Sequence, residues 1–161
     1  MHRVGQFIGH VTARVRPEEE AFARRVLPPR AAALFDAMPV ADRRHALDVA
    51  RRLTDAGHDD PELLAAALLH DAAKGDRMRL WHRVGGVLLE AVAPSLLRRM
   101  ASPDPASWRH GFHLYLHHGP MSAEAALRAG CGARTAAFIR AEVSGTDAPL
   151  LAALRAADEA S

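Results

Sequence analysis

A histidine and an aspartate stand side by side at His70 and Asp71, and Lys74 follows three residues after the aspartate. The seven residues before the pair, Leu63 to Leu69, read LLAAALL without a polar side chain. That pattern predicts a buried helix whose end delivers an imidazole, a carboxylate and an ammonium to one place. Neutral imidazole and carboxylate together suit divalent transition ions, and two or three histidines with an aspartate and open water positions make a hydrolytic metal site. Lys74 is the one lysine among 21 basic residues, all the others being arginine. A compact ammonium on a flexible stem is not equivalent to a guanidinium beside a metal or phosphate. Its place before Gly75 also fits a cation that complements a helix C-terminus.

Of ten histidines, three adjoin boundaries that could aim them inward: His45, His70 and His118. His2, His10 and His58 read as surface, and His82 as a helix-surface or packing residue. His110, His113 and His117 fall at i, i+3 and i+7, the spacing of one helix face, and read as a half-exposed polar stripe rather than a metal row. Asp158 follows the apolar row Leu150, Leu151 and Leu154; by spacing alone it reads as a surface acid near a helix end. Adjacent residues diverge by about 100° on a helix, so one ion takes both His70 and Asp71 only if it lies between their directions. A carboxylate bridging two ions relieves that constraint.

The elements that must position these groups are helical. Residues 3–14 place Val4, Phe7, Ile8 and Val11 at helical spacing. Pro17 opens a helix to Val26 with Glu18, Glu19 and Glu20 in its first turn, and a short helix follows over 30–38. Asp42 is placed to cap a helix that Gly57 stops, with Leu47, Ala50, Leu53 and Thr54 inward. Pro61 starts the helix that ends in His70 and Asp71. The short connection makes these two helices an antiparallel pair, so His45, early in the first, should face His70, at the end of the second. Helices are then predicted over 78–91, 94–100 and 107–117, with Gly119-Pro120 as a break. Ser122 is placed to cap a helix to 130, and two more follow over 133–143 and 148–157. No stretch alternates long enough for a strand, so the predicted class is all-α, with residues 1–40 as an N-terminal helical cap on a core of 41–161 in one structural unit.

At 161 residues, 49% hydrophobic and 25% charged, the chain is of ordinary globular composition. A formal charge of only +2 without a basic run gives no signal for nucleic acid. Cys131 is the one cysteine, which excludes an internal disulfide and suits the cytoplasm. No apolar run approaches the roughly 18 residues of a membrane span.

His45 in RRHALDVARRL, His70-Asp71 in ALLHDAAKG and Asp158 in ALRAADEA together resemble the HD-domain superfamily of metal-dependent phosphohydrolases. The likeness spans about residues 41–159. It implies a bundle of antiparallel helices in which His45, His70, Asp71 and Asp158 hold one divalent ion (Mn, Fe, Zn, Mg, Co or Ni), and it carries Lys74 toward a phosphate-binding role. His118 matches the first of the histidines that two-metal members add. The second is expected in FIRAEVSG, where this chain has Glu142, so one-metal and two-metal sites both stay open. The Gly-Tyr-Pro signature of cyclic-di-GMP phosphodiesterases is missing.

The resemblance thus implies a hydrolase of phosphate esters or anhydrides, with a nucleotide as small-molecule substrate, Asp71 as ligand and proton acceptor, and Lys74 offsetting phosphoryl charge. An alternative is a non-catalytic HD module that binds a nucleotide or a protein partner. His118-Gly119-Pro120 after Leu116 also resembles the diadenosine tetraphosphatase branch, which gives a diadenosine polyphosphate hydrolase as a further alternative.

Overall fold

The computed structural model describes residues 15–75 and 78–161. The amphipathic segment predicted over 3–14 lies outside the described residues. All regular structure among the described residues is helical: α1 (Pro17–Val26), α2 (Pro29–Asp36), α3 (Val40–Asp55), α4 (Pro61–Leu69), α5 (Leu80–Val92), α6 (Pro94–Met100), α7 (His110–Arg128), α8 (Ala133–Arg140), a 3-10 turn (Gly145–Asp147) and α9 (Ala148–Glu159). Proline stands in the first turn of α1, α2, α4, α6 and α9, where its missing N–H has no intrahelical partner to lose. None of these helices is long and apolar enough to cross a membrane.

The centre of the bundle is α4. Every residue from Leu63 to Leu69 is buried, and the helix is flanked by α1, α3, α7, α8 and α9, as expected of a helix that is apolar all round. Asp60 caps it, its side chain accepting from the Glu62 and Leu63 amides at 2.9 and 3.2 Å. Arg134 of α8 reaches the second Asp60 oxygen at 2.6 Å and also grips Asp147, tying three connections into one charged knot. Ala23 of α1, Leu27 in the connection after it, and Ala31 and Phe35 of α2 belong to the same buried cluster as Leu63, Leu68 and Phe138.

Two local expectations are corrected. Asp42 is not the cap of α3: Pro39 holds that position, and Asp42 is 2% exposed with both oxygens taken by Arg83 Nη2 at 2.7 and 2.9 Å. The pair joins α3 to α5 at a buried site, where removing one partner costs about 3–5 kcal/mol. Gly119-Pro120 does not break the chain either, because α7 runs through both residues. An internal proline costs about 3 kcal/mol, but Pro120 is exposed, and the helix is buried on both sides of it by Phe112, Leu114, Ala123 and Ala126. Packing of that length outweighs one lost hydrogen bond. Ser122, read as a cap, is therefore inside α7 and wholly buried.

The α5–α7 side carries a smaller aromatic cluster. His82 is 3% exposed, stacked on Trp81 with ring centroids 3.6 Å apart. Its Nδ1 accepts from the Arg79 amide at 3.2 Å and its Nε2 donates to the Trp108 carbonyl at 2.8 Å. Both ring nitrogens are thereby satisfied, so His82 is a packing residue.

Candidate functional site

The site forms where α3, the end of α4, α7 and α9 converge. His70 closes α4 as its C-terminal cap, and residues 71–75 continue as a turn rather than as helix. The Ala72 and Lys74 amides bond three residues back, to Leu69 and Asp71, and Gly75 has φ +53°, a conformation cheap only for glycine. The Ser122 hydroxyl of α7 accepts from the Ala73 amide at 2.9 Å. That bond pins the turn that carries Asp71 and Lys74. His70 keeps helical backbone angles, φ −56° and ψ −27°, yet its Nε2 comes within 3.6 Å of Asp71 Oδ1, so the two neighbours converge at their tips.

His45, His70 and Asp158 come together from three helices. His45 Nε2 is 2.8 Å from Asp158 Oδ1, and His70 Nε2 is 3.5 Å from the same oxygen. The two rings meet edge-on with centroids 5.3 Å apart, so His45 faces His70 as the antiparallel pair predicts. One ligand atom from each of the three lies within 4.8 Å of the others. Ligand atoms that share a tetrahedral ion at about 2.1 Å stand about 3.4 Å apart, so the widest spacing in this group would have to close by about an ångström or more to form a chelate. Asp71 Oδ1 lies 3.6 Å from His70 Nε2.

On the far side of Asp71 are two more groups. Lys74 Nζ donates to Asp71 Oδ2 at 2.5 Å, and His118 Nε2 stands 3.8 Å from Oδ1. With Oδ2 taken by the ammonium, Oδ1 is the oxygen left for an ion. Glu142 is exposed and does not line the cleft described below.

Hydrogen bonds to carbonyls fix which ring nitrogens face the site. His70 Nδ1 is 2.9 Å from the Ala67 carbonyl, and His118 Nδ1 is 3.0 Å from that of Tyr115. A carbonyl only accepts, so each Nδ1 carries a proton, and it is Nε2 that faces the carboxylate oxygens, as a lone pair whenever the ring is neutral. Acceptors aimed at acceptors call for a cation or a proton between them. His70 Nε2 and Asp71 Oδ1 are both buried with no hydrogen-bond partner, and buried polar atoms are rarely left so. These two orphaned atoms are the observation on which a divalent ion fits the donor set.

The same geometry sets the protonation. Burial pushes the His70 imidazole down, yet the Asp71 and Asp158 carboxylates beside it hold it above its ordinary value. Burial pushes Asp71 up, and the opposing charges of His70 and Lys74 bring it down to about 2. For Asp158 the burial effect is outweighed by the His45 and His70 rings, which hold it far below the usual carboxylate range. Burial and then the Lys74 charge lower His118, which favours its neutral form.

A cleft of about 170 Å³ opens beside these groups, lined by His70, His118 and Asp158 on its polar side and by Phe138, Ile139 and Leu154 on its apolar side. Arg155 also lines it, a residue missed from the sequence although it stands one helical turn before Asp158. Ala141, at its lip, is the one described non-glycine residue with positive φ, at 60°. The histidine row is separate from the site: His110 is buried and holds the Ser102 carbonyl, while His113 and His117 lie with ring centroids 4.6 Å apart and planes tilted by 45° along the outside of α7.

No protein-family model matches this chain, and neither a curated protein nor a solved structure matches it.

Proposed function

We propose that this chain is a metal-dependent phosphohydrolase of the HD type, acting on a phosphate ester or anhydride, with nucleotides as the substrate class. The observation that carries the reading is the pair of orphaned buried atoms, His70 Nε2 and Asp71 Oδ1, 3.6 Å apart. Around them the HD resemblance assigns His45 and Asp158 as the remaining ligands, and the cluster of His45, His70 and Asp158 supports that set. A bound divalent ion supplies Lewis acidity, which makes water nucleophilic near neutral pH and polarises a phosphoryl oxygen.

The chain's own residues do the rest. The Ala67 and Tyr115 carbonyls orient the His70 and His118 rings, the outer-shell contacts that ligating histidines need. Lys74 holds Asp71 anionic through Oδ2, which would leave Oδ1 to ligate the ion. His118, neutral and across Asp71 from His70, would accept the proton of the attacking water at Nε2. The cleft admits a phosphoryl group; ligand pockets that enclose a drug-sized molecule run to about 300–1,000 Å³, so the nucleoside lies outside it, against the lip.

The small cleft also favours a second reading, a non-catalytic HD module that keeps an ion, if any, for structure and binds a nucleotide or a protein. Elemental analysis of purified protein, followed by a phosphoester and nucleotide screen with and without chelator, decides between them. A stoichiometric ion with chelator-sensitive turnover supports the hydrolase, an ion without turnover supports the module, and no ion under any loading condition ends the hydrolase and leaves only a metal-free module.

A further inference from the structure

We infer that Arg155 is the substrate-anion residue of this cleft, clamping the phosphoryl oxygens that face away from the metal ligands. The inference rests on the reading of the cleft as the place where a phosphorylated substrate binds. On α9, Leu151, Leu154, Arg155 and Asp158 share the face that lines the cleft, at the i, i+3, i+4 and i+7 spacing of one helix side. The two leucines are buried and anchor that face. They fix where the guanidinium and the carboxylate emerge.

Two cations stand near the cleft, and they are not equivalent. Lys74 is 18% exposed, and its Nζ is bonded to Asp71 Oδ2, so its charge is already matched by a carboxylate. It does not line the cleft. Arg155 does, and it is exposed. Elsewhere in the fold, arginines beside carboxylates close on them: Arg44 on Asp48 and Glu19, Arg83 on Asp42, Arg134 on Asp60 and Asp147. Arg155 sits one turn from Asp158, whose Oδ1 is instead taken by His45. Among the described residues no carboxylate pairs with it.

A guanidinium offers a planar fork that matches two phosphoryl oxygens at once, and it is charged at every working pH. The polar wall of His70, His118 and Asp158 faces the ion side of the cleft; Arg155 supplies the only permanent positive charge among the lining residues. A phosphate, diphosphate or phosphomonoester dianion placed there meets the ligand cluster with one edge and the guanidinium with another. Neutral or cationic ligands gain nothing from this arrangement.

The test measures binding apart from turnover. Inorganic phosphate is titrated by calorimetry into metal-loaded parent, Arg155→Gln and Arg155→Lys, with metal content and melting temperature recorded for each. Arg155→Gln should bind phosphate at least tenfold more weakly with metal content and melting temperature unchanged, and Arg155→Lys should recover part of the loss. With a hydrolysed substrate, the glutamine variant should show the loss chiefly in KM. Equal phosphate affinity in parent and Arg155→Gln overturns the inference, as does a metal-loaded parent that takes up no phosphate. If phosphate binding depends on Arg155 but no phosphoester is turned over, the hydrolase reading fails and the anion site stands.

Discussion

Lys74 Nζ and Asp71 Oδ2 are joined in a charge-assisted hydrogen bond within a single turn, and this commits the one lysine of the sequence to the site's central carboxylate. An arginine here has the same charge but a longer reach and a planar head. Lys74→Arg should retain the ion, because Asp71 Oδ1 is untouched, and should lower turnover about tenfold, equivalent to about 1.4 kcal/mol of transition-state stabilisation. Steady-state rates beside elemental analysis check this. Turnover equal to the parent's would show that any cation at this position suffices.

Asp71→Ala should abolish metal binding and turnover together while leaving the far-ultraviolet circular dichroism of the helices intact. Losing the buried anionic ligand removes affinity far more than it disturbs packing. An ion present at 100 times its Kd adds about 2.7 kcal/mol to stability, so chelator should lower the melting temperature of the parent and leave that of Asp71→Ala unmoved. Full metal occupancy in the variant would reduce Asp71 to an ordinary buried acid.

The Glu19 carboxylate should make the fold sensitive to acid. Arg16, bonded at 2.8 Å, lowers it most; burial opposes this, and Arg44 at 2.6 Å adds to the lowering, so Glu19 is held at about 2. A carboxylate depressed in the folded state contributes stability that is whole above its unfolded value of about 4.3 and is lost as pH falls from there through 2. Parent and Glu19→Gln should therefore differ most in melting temperature near pH 6 and converge near pH 2. Asp71 and Asp158 titrate alike in both proteins, so the difference isolates Glu19. A gap that stays constant across this range would assign the effect to packing.

Ala141→Gly should stabilise the protein. A left-handed alanine costs roughly 1–2 kcal/mol that glycine does not incur, offset in part by the greater freedom of glycine in the unfolded chain. A rise of up to about 1 kcal/mol in urea-derived stability is expected. A fall would show that the Ala141 methyl is needed at the cleft lip.

Much of this arrangement was legible where the signals are local. Pro17, Pro61 and Pro94 each mark a helix start, and the short turn after Gly57 makes α3 and α4 antiparallel, which is enough to set His45 against His70. Asp158 was not legible by spacing: exposed on its own helix, it enters the site because α9 packs along α3, a contact between distant segments that no local pattern encodes. Asp42 and Ser122 were misread for the same reason. Each has the residue type of a helix cap, and each is instead engaged from another helix or turn, Asp42 by Arg83 and Ser122 by the Ala73 amide. The run through Gly119-Pro120 shows tertiary packing overriding a strong local breaker.

The 113 positions between His45 and Asp158 also have a consequence in time. Contacts this far apart in sequence close late, after the entropy of a long loop has been overcome. A cation held by both groups, as proposed, would therefore be bound by the finished bundle and not by the chain on its way there. Its stabilisation would fall on the native side of the folding barrier: the ion would lengthen the lifetime of the folded protein and leave the speed of folding where it was.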